Sequence, residues 1–101
     1  MSTMMLKVTG DDFFVGDRVF VEIQLFNPRT KQPASALAPE LKLIHEDGLE
    51  IDGGNMVEIE AGSGLYGGSE VVTLEGRWKV EVAVGAPFES RWQYDRLLVN
   101  P

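Results

Sequence analysis

The feature that most constrains this chain is an alternation of period two. Across residues 77–84, Trp78, Val80, Val82 and Val84 alternate with Arg77, Lys79, Glu81 and Ala83. In an extended backbone this makes one face continuously apolar and the other mostly charged, the pattern of a half-buried strand. Trp78 enters that face directly after Glu75-Gly76, where its ring is expected to cover the open end of a sandwich and its indole N–H to find a backbone carbonyl. Glu75-Gly76 also separates residues 71–74 from 77–84, and a glycine there predicts a tight hairpin.

The rest of the chain repeats the pattern in shorter runs. Residues 4–9 read as a first strand, and residues 18–27 as a second, with Val19, Val21, Ile23 and Leu25 on one face and Phe20, Glu22, Gln24 and Phe26 on the other. Asn27-Pro28 ends that strand, because proline has no ladder donor and its ring holds the preceding residue extended. Residues 28–39 form a long polar loop whose charges are Arg29 and Lys31. Leu41, Leu43 and His45 define a third strand that stops at Asp47-Gly48, a hairpin signal. Residues 49–51 return briefly and 52–55 turn again. In residues 56–60 Val57 and Ile59 are expected inward, Glu58 and Glu60 outward. Leu65-Tyr66 and residues 69–74 lead to the central strand. In the last run Trp92 and Tyr94 are out of phase with Leu97 and Val99, which requires a bulge near Asp95-Arg96 or partial cover on both faces.

Seven to eight short strands punctuated by turns predict an all-β, antiparallel, immunoglobulin-like β-sandwich, and 101 residues suffice for one such domain, residues 1–101. Its expected core includes Val21, Ile23, Leu43, Tyr66, Trp78, Val80 and Val82. With no cysteine there is neither a disulfide framework nor a thiolate metal site, and the antibody pattern of paired cysteines is missing.

Charge and motifs exclude several functions. A net charge of −7 disfavours nucleic acid as a partner. The amino terminus carries no signal-peptide pattern, and no apolar run reaches membrane-spanning length, so no membrane partner is expected. His45 is the single histidine, and Glu46 and Asp47 beside it on an extended chain point partly elsewhere, so no enzyme is expected. The acidic residues of the 46–60 stretch do not follow the spacing of a calcium loop and read as a solvated edge. Gly62, Gly64, Gly67 and Gly68 lack the Gly-Lys-Ser/Thr of a phosphate cradle and serve turns and bulges. No metal or cofactor is expected.

The order Val15-Gly16-Asp17, Asp47-Gly48, Gly64-Leu65-Tyr66, Leu74-Glu75-Gly76-Arg77-Trp78 and a terminal Leu97-Leu98-Val99 resembles small immunoglobulin-like structural proteins of tailed bacteriophages. The resemblance runs from Phe14 onward and implies a virion component assembled in the bacterial host cytoplasm, partnered with capsid or tail proteins or with further copies of itself. A second likeness, to exported bacterial sandwich domains of the YtkA type, implies instead a binding module for a protein, small ligand or metal. More aromatic residues are present than one core can use, so Met4, Met5, Phe13, Phe14 and Phe88, with Arg29 and Lys31 of the long loop, are the expected contact surface.

Overall fold

The alternating segments form strands, as their patterning dictates. The computed structural model describes residues 2–9, 13–85 and 90–101, with side chains from Leu6 onward. Among them there is no helix, and nine strands occur: β1 (Ser2–Thr9), β2 (Phe13–Phe14), β3 (Arg18–Phe26), β4 (Glu40–His45), β5 (Glu50–Asn55), β6 (Val57–Glu58), β7 (Leu65–Val71), β8 (Gly76–Val84) and β9 (Ser90–Asn100). They make two packed sheets, one ordered β1-β3-β7-β6 and the other β2-β9-β8-β4-β5. The fold is an all-β sandwich.

Between the sheets lies the core foreseen from the alternation. Val21, Ile23, Leu43, Tyr66, Trp78, Val80 and Val82 are all buried, joined by Val19, Leu25, Leu41, Val72, Leu97 and Val99. Burying one such aliphatic or aromatic side chain contributes about 1.5–3 kcal/mol. The Trp78 indole N–H donates to the Leu74 carbonyl at 3.0 Å. In β9 the register shifts between Trp78 and Val80 of β8, where Trp78 faces Leu97 but Val80 faces Tyr94. The extra residue falls at Asp95-Arg96, both exposed. It rephases the strand, so Trp92 and Tyr94 as well as Leu97 and Val99 pack on the same core.

Five expectations are corrected. Glu75-Gly76 does not close a hairpin: β7 pairs with β3 and β8 with β4 and β9, so the chain crosses there from one sheet to the other. Residues 52–55 do not turn but continue β5 along β4, with a bulge where Leu41 faces Gly54 and Lys42 faces Asp52. The phase of residues 56–60 is reversed. Met56 is buried while Val57 and Ile59 are 70% and 56% exposed, and Glu58 is held by the Ser35 hydroxyl and the Gly64 N–H. The sandwich is not wholly antiparallel, since β2 runs parallel to β9 with Phe13 opposite Val99. That pairing turns Phe13 into the core at 7% exposure, so it is no contact residue, whereas Phe14 stays exposed. Phe88 and the side chains of Met4 and Met5 lie outside the described residues.

The loop of residues 28–39 is tied down rather than free. Asn27 Oδ1 accepts the Arg29 N–H at 2.9 Å, and the Asn27 carbonyl accepts the Lys31 N–H at 2.9 Å. Arg29 and Lys31 therefore sit exposed on a compact turn. Further along, the buried Tyr66 hydroxyl donates to the Ala34 carbonyl at 2.6 Å and accepts the Leu37 N–H at 3.1 Å. The Glu58 carboxylate and Tyr66 together peg this loop onto the four-stranded sheet.

Candidate functional site

Two regions invite a functional reading. The first surrounds His45, the last residue of β4. Its Nε2 lies 2.8 Å from the Glu75 carbonyl, which only accepts, so Nε2 carries the proton. Its Nδ1 faces Asp47 twice: Oδ1 at 2.9 Å and the backbone N–H at 3.2 Å. Charged, Nδ1 donates to the carboxylate; neutral, it accepts the amide. The ring meets Trp78 edge-on at 4.9 Å between centroids. Asp47 can reach back because it belongs to the turn and not to the strand: its Oδ1 also accepts the Leu49 N–H at 2.9 Å. Nearby, Glu46 Oε2 accepts the Arg77 N–H at 2.6 Å.

Both ring nitrogens are thus engaged within the protein. The cluster is a latch on the crossing between the sheets, in which Trp78 holds the Leu74 carbonyl and His45 that of Glu75. The Glu75 carbonyl, and then Asp47, raise the His45 pKa above its ordinary 6.5. The Leu49 N–H, and then His45, lower that of Asp47, and the Gly64 N–H leads the causes that lower Glu58.

A pH dependence follows. Because the His45 pKa is raised on folding, its contribution is fully present below the unfolded value of about 6.5 and is lost as pH rises through the folded value. Asp47 and Glu58, lowered on folding, contribute above their unfolded values of about 4 and lose that contribution as pH falls through their folded ones. The denaturant midpoint is expected to fall as pH rises above about 6.5 in the wild type and to stay level over the same range in His45→Gln. An equal fall in both proteins would refute the latch.

The second region is the outer face of the four-stranded sheet. Phe20 points outward from β3 between buried Val19 and Val21 and is 53% exposed. In the register, Phe20 faces Ser69, and Glu22 faces Gly67, which in turn faces Val57. Since Gly67 has no side chain, a furrow crosses the sheet there, and Ile59 leans over it with Cδ1 3.1 Å from where a β-carbon would stand. Phe20, Val57 and Ile59 so line a shallow groove of about 380 Å³ with Glu22 and Glu58 at its sides. Pattern reading could mark Phe20 as off-phase. It could not find this convergence, which depends on the reversed phase of Val57 and Ile59.

Among the described residues no three histidine or acidic side chains converge where an ion could be held. At one end of the sandwich an open cleft of about 990 Å³ lies among Leu37, Glu40, Asn55, Val84 and Arg91. Among the described residues no helix is long and apolar enough to cross a membrane. Of the expected contact residues, the structure leaves Phe14, Arg29 and Lys31 exposed but does not gather them into the groove. Comparison of the chain with protein-family models and with curated proteins finds no match.

Proposed function

We propose that this chain is a non-enzymatic, immunoglobulin-like assembly module, a structural component of a tailed-phage virion that docks on a capsid or tail protein in the host cytoplasm. The observation that carries the docking reading is the outer face of the four-stranded sheet, where Phe20, Val57 and Ile59 stand exposed together around the Gly67 furrow. Scattered apolar residues are ordinary on a surface; a contiguous group beside a groove is what an interface core requires. The strand order supports the immunoglobulin-like part. β1, β3, β7 and β6 stand where strands A, B, E and D stand in that fold, and β4, β8 and β9 where C, F and G stand. The virion and its partners rest on the resemblance in residues 14–99.

On this reading, Phe20→Glu and Ile59→Glu keep the unfolding free energy within about 0.5 kcal/mol of wild type, because both side chains are more than half exposed. They are expected to abolish co-sedimentation with phage heads or tails. Wild type that fails to bind such particles at about 10 µM, a concentration that reports interactions near −7 kcal/mol, would remove the proposal. A bacterial ligand-binding module would instead use the open cleft near Leu37 and Arg91 and show a ligand-dependent rise in melting temperature.

A further inference from the structure

We propose that the open edge of β9 pairs with the same edge of a second copy of this chain, antiparallel, about a two-fold axis through Gln93. β2 pairs with β9 only at Val99 and Asn100, so from Ser90 to Leu98 no strand is hydrogen-bonded to that edge among the described residues. β9 is also the longest strand, at 11 residues. The other sheet edges are blunted: β6 has 2 residues, β5 is bulged and carries Glu50 and Asp52, and β1 has a register shift between Thr3 and Met5. An open edge of main-chain donors and acceptors is a template for another strand.

The sequence of β9 reads as its own complement. A two-fold normal to the sheet keeps each copy's outer face outward, so only residues on the same face can stand opposite one another. With Gln93 opposite itself, Arg91 faces Asp95 of the second copy, and Asp95 faces its Arg91. Both residues are exposed, and directly opposed opposite charges stabilise antiparallel pairs. On the inner face Trp92 meets Tyr94 of the second copy, twice over. Both rings are only half-buried in one chain, and their free area would close against each other. Shifting the axis to Trp92 sets Arg91 against Gln93, and shifting it to Tyr94 sets Arg91 against Leu97. Neither register brings a cation onto a carboxylate.

Charges on an edge strand ordinarily keep copies apart, but here the two signs are placed to attract. Arg91 Nε stands 3.5 Å from Glu81 Oε1, and the rest of the guanidinium fork remains for a second carboxylate. The bulge at Asp95-Arg96 ends the paired window, which runs over residues 90–96. This pairing uses a sheet edge and leaves the Phe20 groove open, so it stands or falls apart from the docking surface proposed above.

The chain has no cysteine, so an introduced one is unique. Gln93→Cys is expected to form a disulfide-linked dimer on mild oxidation and Arg91→Cys alone to stay monomeric, whereas a mixture of Arg91→Cys and Asp95→Cys cross-links. By sedimentation, Asp95→Arg should weaken the wild-type dimer about tenfold or more, through two like-charge contacts. Arg91→Asp combined with Asp95→Arg should restore it, and Phe20→Glu should leave it unchanged. Cross-linking of Gln93→Cys and Arg91→Cys to the same extent would overturn the register. A wild type that remains monomeric at about 100 µM, weaker than roughly −5.5 kcal/mol, would overturn the pairing itself.

Discussion

Trp78→Ala is expected to lower the unfolding free energy by about 3–5 kcal/mol, a large part of the ~5–15 kcal/mol that holds a domain together. Trp78 is 1% exposed and the largest fully buried side chain. Truncation removes more than volume. The Leu74 carbonyl loses its indole donor, and the His45 ring loses the surface it meets edge-on. Since Leu74 and Glu75 lie on the crossing from β7 to β8, the damage spreads to the joint between the sheets. Urea unfolding followed by circular dichroism measures the loss. An unchanged midpoint would mean that the ring contributes nothing to the core.

Gly64→Ala is the second large effect, with an expected loss of about 2–4 kcal/mol from strain and overpacking together. Gly64 has φ +70°, and a β-carbon there would stand 2.7 Å from the Leu25 carbonyl oxygen and 3.0 Å from the Ala34 nitrogen. Both are backbone atoms, joined to one another by a 2.9 Å hydrogen bond, so neither can step aside cheaply. Gly64 also accepts the Leu25 N–H and donates to Glu58. The substitution therefore disturbs β3, the loop of residues 28–39 and the carboxylate that pegs it. The same urea experiment decides, with Gly62→Ala as control: φ is again positive, but nothing lies within 4 Å of its β-carbon. Equal losses in the two variants would show that backbone conformation, and not crowding, governs the site.

What the sequence disclosed and what it withheld follow from the reach of each signal. β3 was legible because every second residue from Val19 to Leu25 is apolar, and alternation is a local property of one strand. The phase break in β9 was legible for the same reason, within one run, but alternation left a bulge and cover on both faces as alternatives, and pairing with β8 decides for the bulge. The crossing at Glu75-Gly76 was not, because a glycine marks where the chain bends and not which sheet receives it. Phe13 and Phe14 are identical neighbours, so only the distant Val99 decides which of them turns inward. Met56 and Val57 posed the same ambiguity, resolved by Ser35 and Gly64 gripping Glu58. Of the candidate surface, Phe20 showed in the pattern. Its neighbours Val57 and Ile59 did not, since they meet it only across Gly67 of an intervening strand.

The chain passes from one sheet to the other between β1 and β2, β2 and β3, β3 and β4, β5 and β6, and β7 and β8. Such stitching bears on how the native state is reached. Neither layer can be completed by zipping up hairpins in sequence order, since β3 must wait for β7, and β4 for β8. Closing those long loops costs entropy before any contact repays it, which places folding in the slow millisecond-to-second regime of sandwiches. A nascent chain released before β8 would have β4 and β5 without their central neighbour and the inner face of the four-stranded sheet without its cover. Both layers therefore become stable together, late, and only when almost the whole polypeptide is present.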